Sequence, residues 1–276
     1  MKIFSSLDEF IDSKLHIDAF VPTMGNLHNG HLQLVEVAKK NSKNTCVSIY
    51  VNESQFTDKK DFDSYPKTLD ADIKKLKDTG VDYILIPEKR DIENNSEGFD
   101  PVLEPKILTN DLCGKYRKGH FLAVMDIVHR FFQIIKPNIV VLGEKDYQQI
   151  VVIKELIKIC NHKIRILSCP IIRADSGLAL SSRNNLLSEA QKKIASEIYK
   201  SLVLASSLYE QDSSPREIED EINIFFSRSL IELEYFTIRD LKTLQQPNDN
   251  DLIALIAGYL GTVRLIDNII IKSHLR

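Results

Sequence analysis

An α/β fold is predicted, with a doubly wound, Rossmann-like parallel sheet in the N-terminal part and a smaller α+β domain after it. Two observations lead there. Up to residue 172, short apolar, β-rich runs alternate with stretches of helical spacing, and strands apolar on both faces and separated by helices imply a parallel sheet covered on each side. Past Arg183 the pattern changes to helices followed by strands, without glycine loops at strand ends. The expected division is a first domain over residues 1–175 and a second over 176–276, the latter packing as a cover.

Strands are expected at 17–21, 45–52, 81–87, 139–143 and 164–172, where apolar and β-branched residues run together between turn residues. Helical spacing is read at 29–40, where Leu32, Leu34, Val35, Val37 and Ala38 recur three and four apart, and again at 67–79, 121–135 and 147–160. Residues 88–118 are irregular, with Pro101, Pro105 and an Asn-Asn-Ser-Glu-Gly stretch, and read as a long functional excursion. In the C-terminal part, 188–210 and 215–229 read as helices. Residues 235–240, 252–259 and 263–271 read as strands, the last two joined as a hairpin around Gly261.

The chain has 276 residues, 43% of them hydrophobic, which is enough for two cores. A formal charge of −3 gives no global attraction to nucleic acid or to a membrane surface. Basic runs such as Lys39-Lys40 and 115–118 are short enough to be solvated faces. The cysteines Cys46, Cys113, Cys160 and Cys169 show no metal-type spacing, and Cys46, Cys160 and Cys169 lie in or beside apolar runs. Reduced thiols in a soluble cytoplasmic protein are expected. No window reads as a signal peptide or a membrane helix.

Four clusters carry possible chemistry. In sheets of this kind ligands lie at the carboxyl ends of the strands, and all four clusters fall at strand ends or at the start of the second domain. The first is Met24, Gly25, Asn26, Leu27, His28, Asn29, Gly30 and His31. Strand, glycine turn, His-x-Gly-His and helix together offer a phosphate a helix N-terminus and two imidazoles. Two histidines three apart also fit a metal pair or a structural cap, although no third ligand is evident nearby. The second cluster contains Asn52 and Gln55, amides suited to a small hydroxy acid or to turn capping. The third, Gly143, Glu144, Lys145, Asp146 and Gln149, closes an apolar strand and sets a lysine at the binding edge. Its acids are equally read as helix-start partners. The fourth, Leu180, Ser181, Ser182, Arg183 and Asn184, supplies hydroxyls and a guanidinium for a polyphosphate, or an N-cap cluster. Together they favour an ATP site. No P-loop, G-x-G-x-x-G fingerprint or G-x-S-x-G elbow occurs, so kinase and dehydrogenase readings lose their usual support. Another nucleotidyltransferase, or a nucleotide-binding protein without catalysis, stays open on the residues alone.

Pro22-Thr-Met-Gly-Asn-Leu-His-Asn-Gly-His31, Val47-Ser-Ile-Tyr-Val-Asn52, Gln55-Phe56, Tyr65-Pro-Lys-Thr68, Gly143-Glu-Lys-Asp-Tyr-Gln-Gln149, Gly177-Leu-Ala-Leu-Ser-Ser-Arg-Asn184 and Arg264-Leu-Ile-Asp-Asn268 resemble the pantoate–β-alanine ligase family. The resemblance covers nearly the whole chain in order. It implies an ATP-dependent ligase of pantothenate biosynthesis, on the path to coenzyme A. Pantoate and Mg-ATP would give pantoyl adenylate and pyrophosphate, and β-alanine would then give pantothenate and AMP. By position, residues 24–31 line the ATP site, with His31 in the place of the family's proton donor. Gly143 to Asp146, Ile172 and Leu180 to Arg183 match the other ATP-contacting positions. His28, His31, Lys145 and Arg183 surround the reacting phosphates. Gln55 and Gln149 match the glutamines that hold pantoate, Gln55 also lying near β-alanine, and Asp72 falls where an acid lies near Mg²⁺. The resemblance further implies a homodimer through the first domain, with the second acting as a lid.

Three positions and one stretch depart from the family pattern. Glu53 replaces a proline after Val-Asn, Lys118 replaces a proline shortly before His120, and Ala123 replaces a glycine after it. The 88–100 stretch lacks the usual Tyr-Pro.

Overall fold

A computed structural model describes residues 1–247 and 251–271. Six parallel strands form the first sheet: β1 (Lys2–Phe4), β2 (Ala19–Thr23), β3 (Thr45–Ile49), β4 (Tyr83–Leu85), β5 (Ile139–Gly143) and β6 (Arg165–Cys169). Their order is β1-β4-β3-β2-β5-β6, parallel throughout. The chain winds outward in one direction from β2 through β3 and β4, then returns to lay β5 on the other side of β2. The strand order therefore reverses between β2 and β5, the position where a doubly wound sheet opens a crevice for ligands. The β2–β5 ladder itself covers only Ala19 and Phe20 against Ile139 and Val140.

The central strands match their apolar sequences. Every residue of β3 is buried, and Val21, Val47, Ile84 and Val141 are fully so, each worth roughly 1.5–3 kcal/mol of transfer free energy. The helix Asn29–Lys40 packs on β2 and β5 through buried Leu34, Val35 and Ala38, the apolar face that its spacing predicts. The helix Leu69–Thr79 closes on Gly80, whose φ of +67° suits a left-handed cap.

Boundaries differ in instructive ways. β2 runs to Thr23 rather than starting at 17, because pairing with β3 continues through Pro22 and Thr23. The three-residue edge strand β1 is too short for periodicity to reveal. The 88–118 excursion contains short helices at Lys89–Asn94, Lys106–Thr109 and Cys113–Tyr116 rather than irregular chain alone. All four cysteines are free thiols, Cys113 is buried as well, and Cys160 is only half-buried.

Three antiparallel strands, β7 (Glu232–Asp240), β8 (Leu252–Leu260) and β9 (Val263–Ile271), make the second sheet in that order. β8 and β9 turn at Gly261, φ +59°. Expected as one helix, 188–210 is two, Glu189–Ala195 and Glu197–Glu210, broken at Ser196. Ser188 with Gln191, and Ser214 with Glu217, form capping boxes at the starts of Glu189–Ala195 and Pro215–Phe226. Ile198, Leu202, Ile218, Ile222, Ile238, Ala254 and Ile256 build the core of this part. By contact the chain divides into two compact units, Met1–Glu144 with Val152–Pro170, and Lys145–Val151 with Ile171–Arg276. No helix among the described residues is long and apolar enough to cross a membrane.

Candidate active site

In the first unit, the turn after β2 is held by a buried carboxylate 45 residues away. Asn26 N–H donates to Asp72 Oδ2 and Leu27 N–H to Asp72 Oδ1, each at 2.8 Å, and Thr68 Oγ1 donates to Oδ2 at 3.0 Å. Thr23 Oγ1 links the strand end to Ser48 O at 2.6 Å and accepts Gly25 N–H at 3.3 Å. Gly25 sits at φ +76°, and a Cβ there would lie 3.1 Å from Asp72 Oδ2 and 3.2 Å from Ile49 Cγ2. Only glycine satisfies both conditions.

That turn delivers the two histidines to the helix start. His28 is the N-cap of Asn29–Lys40, its Nδ1 accepting Gly30 N–H at 3.2 Å, while His31 Nδ1 accepts His28 N–H at 3.3 Å. The rings stack with centroids 4.1 Å apart. Accepting at Nδ1 requires a lone pair there, so each neutral imidazole carries its proton on Nε2. Capping thereby selects the tautomer in which Nε2 is a donor, the form that suits phosphoryl oxygens at a helix N-terminus.

Asp72, expected near Mg²⁺, has a different task in this structure. It is fully buried and accepts three hydrogen bonds on its two oxygens, through which it anchors the glycine turn. Asp72→Asn would place an NH₂ against a backbone N–H, a loss of about 1–3 kcal/mol. The expected outcome is a lowered melting temperature and weaker ATP use with an unchanged Mg²⁺ requirement. A steeply raised Mg²⁺ concentration for half activity, at normal stability, would return the metal role to Asp72.

Gln55 ends a 3-10 turn (Glu53–Gln55) after β3. Its Oε1 accepts from Asn52 Nδ2 at 3.2 Å and its Nε2 donates to Met24 Sδ at 2.9 Å. Its backbone oxygen accepts from His120 Nδ1 at 2.7 Å and Arg117 Nη2 at 3.2 Å, with Arg117 Nη1 3.0 Å from His120 Nε2. This Arg117–His120 clamp was not legible as such in the sequence; the basic residues of 115–118 were its one signal. Of the departures, Glu53 and Lys118 are exposed, and Ala123 keeps its carbonyl on Asn52 Nδ2 at 3.3 Å. Also in this unit, Gly143 ends β5 and Glu144 Oε1 accepts Ser168 Oγ at 2.8 Å.

The second unit brings together the remaining sequence clusters. Ile172 and Leu180 face each other in a small hairpin, with Leu180 N–H on Ile172 O at 2.9 Å and Ala174 N–H on Leu178 O at 2.9 Å. The hairpin turns at Gly177, φ +88°, where a Cβ would come within 2.3 Å of the Tyr199 ring. Ser181 Oγ caps the 3-10 turn Ser182–Leu186 by accepting Arg183 N–H at 3.3 Å. Arg173 braces the hairpin through a bidentate pair with buried Asp267, at 2.5 and 3.0 Å, and stacks on Tyr199 with its guanidinium 3.9 Å from the ring centroid. Asn268, next in β9, donates from Nδ2 to Lys145 O at 3.0 Å. Asp267 and Asn268 thus position Arg173 and Lys145 from one strand. Lys145 Nζ lies 3.9 Å from exposed Asp146, and Gln149 is half-buried on the first turn of Tyr147–Ile159.

Comparison with known proteins identifies the family and the fold. The family model for pantoate-beta-alanine ligase matches residues 3–270. A pantothenate synthetase of Neisseria meningitidis is 43% identical over 257 residues, 92% of each chain. That of Acinetobacter baylyi is 41% identical over 263 residues, 93% of this chain and 91% of the relative. The crystal structure of the Thermus thermophilus pantothenate synthetase superposes with a TM-score of 0.91 at 31% identity, covering 99% of this chain and 100% of that one. The Francisella tularensis pantoate-beta-alanine ligase, solved with beta-gamma ATP and beta-alanine, gives 0.79 at 36% identity over 98% and 97%. With its glycine turn, capped histidine pair and strand-end lysine accounted for, the chain belongs to the pantoate–β-alanine ligase family.

Proposed function

We propose that this ligase condenses pantoate with β-alanine in two steps on ATP. A pantoate carboxylate oxygen attacks the α-phosphorus, the bond to the bridging oxygen breaks, and pyrophosphate leaves. The β-alanine amine then attacks the carbonyl carbon of pantoyl adenylate and AMP departs, giving pantothenate. The observation that carries this reading is the capped histidine pair, which offers two Nε2–H donors at the end of β2, where the strand order reverses.

Bringing a carboxylate to a polyphosphate sets anion against anion, so the site must supply positive charge and alignment. His28, His31, Lys145 and Arg183 are assigned that task, with residues 24–31, Gly143 to Asp146, Ile172 and Leu180 to Ser182 contacting the nucleotide. The Gln55 amide is held by Met24, Asn52 and the clamp on its own carbonyl, which preorganises it for the hydroxy acid and for β-alanine. Mg²⁺ is assigned to the ATP phosphates rather than to Asp72. The second unit serves as the lid that keeps water from the mixed anhydride.

Pantoate-dependent exchange of labelled pyrophosphate into ATP tests the first step, and AMP release on adding β-alanine tests the second. ATP binding without that exchange would overturn the reading. Gln149→Ala should raise the pantoate KM about tenfold while the ATP KM moves little, since one hydrogen bond to a charged group is lost. Equal effects on both substrates would remove Gln149 from the pantoate site.

The same reading makes the protein a cytoplasmic homodimer joined through its first unit. In support, Val102, Leu103 and Ile107 of that unit are 85, 49 and 76% exposed, more apolar surface than one short segment usually leaves to water. Sedimentation at the mass of a single chain would reject the dimer.

A further inference from the structure

Three metal-ligating side chains meet in the first unit, away from every residue assigned to substrate. A ring nitrogen of His129, Cys160 Sγ and a ring nitrogen of His162 lie within 4.8 Å of one another, and all three residues are half-buried. They form the one such group of histidine, cysteine and acidic residues among those described. His129 stands on the helix His120–Ile135, while Cys160 and His162 follow the helix Tyr147–Ile159.

The local backbone explains the meeting. Cys160 N–H still donates to Leu156 O at 2.9 Å; Asn161 then takes φ +53°, and His162 N–H turns back to Ile157 O at 2.9 Å. A left-handed residue between them brings the cysteine and the histidine to the same side. Phe132 meets the His162 ring edge-on at 5.2 Å, and Phe99 meets that of His129 at 6.1 Å, so the imidazoles are packed in place. His129 Nδ1 and His162 Nε2 are 2.9 Å apart, a hydrogen bond.

Zinc bonds of about 2.0–2.1 Å to nitrogen and about 2.3 Å to sulfur set tetrahedral ligand atoms roughly 3.3–3.6 Å apart. The observed spacings reach that by movements of about an ångström or less. We propose that His129, Cys160 and His162 form a site for one zinc-class divalent cation, with a water as the fourth ligand. Two imidazoles and one thiolate suit a borderline-soft ion, not Mg²⁺ or Ca²⁺. On binding, the Cys160 thiol releases its proton to solvent and the His129–His162 hydrogen bond breaks. The imidazole that donates in that bond shifts its proton, through solvent, to its other nitrogen, so that both rings face the ion with a lone pair and carry their proton on the far side. The ion ties the end of one helix to the middle of another, whose first residue, His120, holds Gln55 O. His129 is nine residues along that helix, about 14 Å away, so the site is a brace and does not depend on the ligase reading.

Cobalt(II) added to the full-length, chelator-dialysed protein tests this. One equivalent should produce a sulfur-to-cobalt charge-transfer band with the intense visible bands of tetrahedral coordination, and Zn²⁺ should displace it. Cys160→Ser should abolish the charge-transfer band, and His162→Gln should weaken cobalt binding at least tenfold. Zn²⁺ should raise the melting temperature of the wild type and of neither variant. No charge-transfer band in the wild type, or an unchanged band in Cys160→Ser, overturns the site. If Cys160→Ser does not fold, unchanged cobalt affinity in His162→Gln overturns it instead.

Discussion

Gly30→Ala is expected to cut pantoate-dependent ATP–pyrophosphate exchange about a hundredfold while leaving thermal stability nearly unchanged. Gly30 lies in the first turn of the helix Asn29–Lys40, and a Cβ there would come 2.9 Å from His28 Cε1 and 3.0 Å from its Nδ1. The ring must move, and its bond to Gly30 N–H lengthens or breaks. Two stability effects of similar size then oppose each other. Alanine in place of glycine favours a helix by roughly 0.5–1 kcal/mol, and a lost N-cap costs about 1 kcal/mol. In the proposed role of His28 the catalytic effect has no such offset, because displacing a donor by about an ångström from a reacting phosphate can lose about 10²-fold. Calorimetry beside the exchange assay checks both halves. Full exchange activity would mean that the position of His28 does not matter to adenylate formation.

Lys145→Ala is expected to slow adenylate formation by about 10²–10³-fold, again with little loss of stability. The residue is held through its backbone, Lys145 O accepting Asn268 Nδ2 at 3.0 Å, so truncating the side chain leaves that link intact. The ammonium pairs with Asp146, at 3.9 Å and on an exposed side chain, a contact of small energetic weight. Single-turnover measurement of pantoyl adenylate separates this step from β-alanine transfer. An unfolded variant would show the side chain to be structural, and a fully active one would remove Lys145 from the phosphate site.

The local record in the sequence is strong where structure follows a period or a cap. The helix Asn29–Lys40, the strand Ile139–Gly143 and the hairpin around Gly261 are legible because spacing and turn residues act within a few positions. So is the candidate phosphate site, since a glycine turn leading into His-x-Gly-His constrains neighbouring backbone. The break at Ser196 escapes such reading: Ser196 itself keeps helical angles, φ −65° and ψ −15°, and periodicity carries straight through it.

Sequence alone thus supplied the fold class and, as candidates for the site, the two histidines after β2, the lysine, the arginine and the two glutamines. Tertiary structure decided how they are held. Asp72 became the anchor of Gly25 to Leu27, Arg117 and His120 clamped Gln55, and β9 set Lys145 and Arg173 through Asn268 and Asp267. The physical reason is separation along the chain. A helix or a turn is written in residues three or four apart, whereas a buried carboxylate satisfying two backbone amides 45 and 46 residues away exists only once the sheet and its helices have packed.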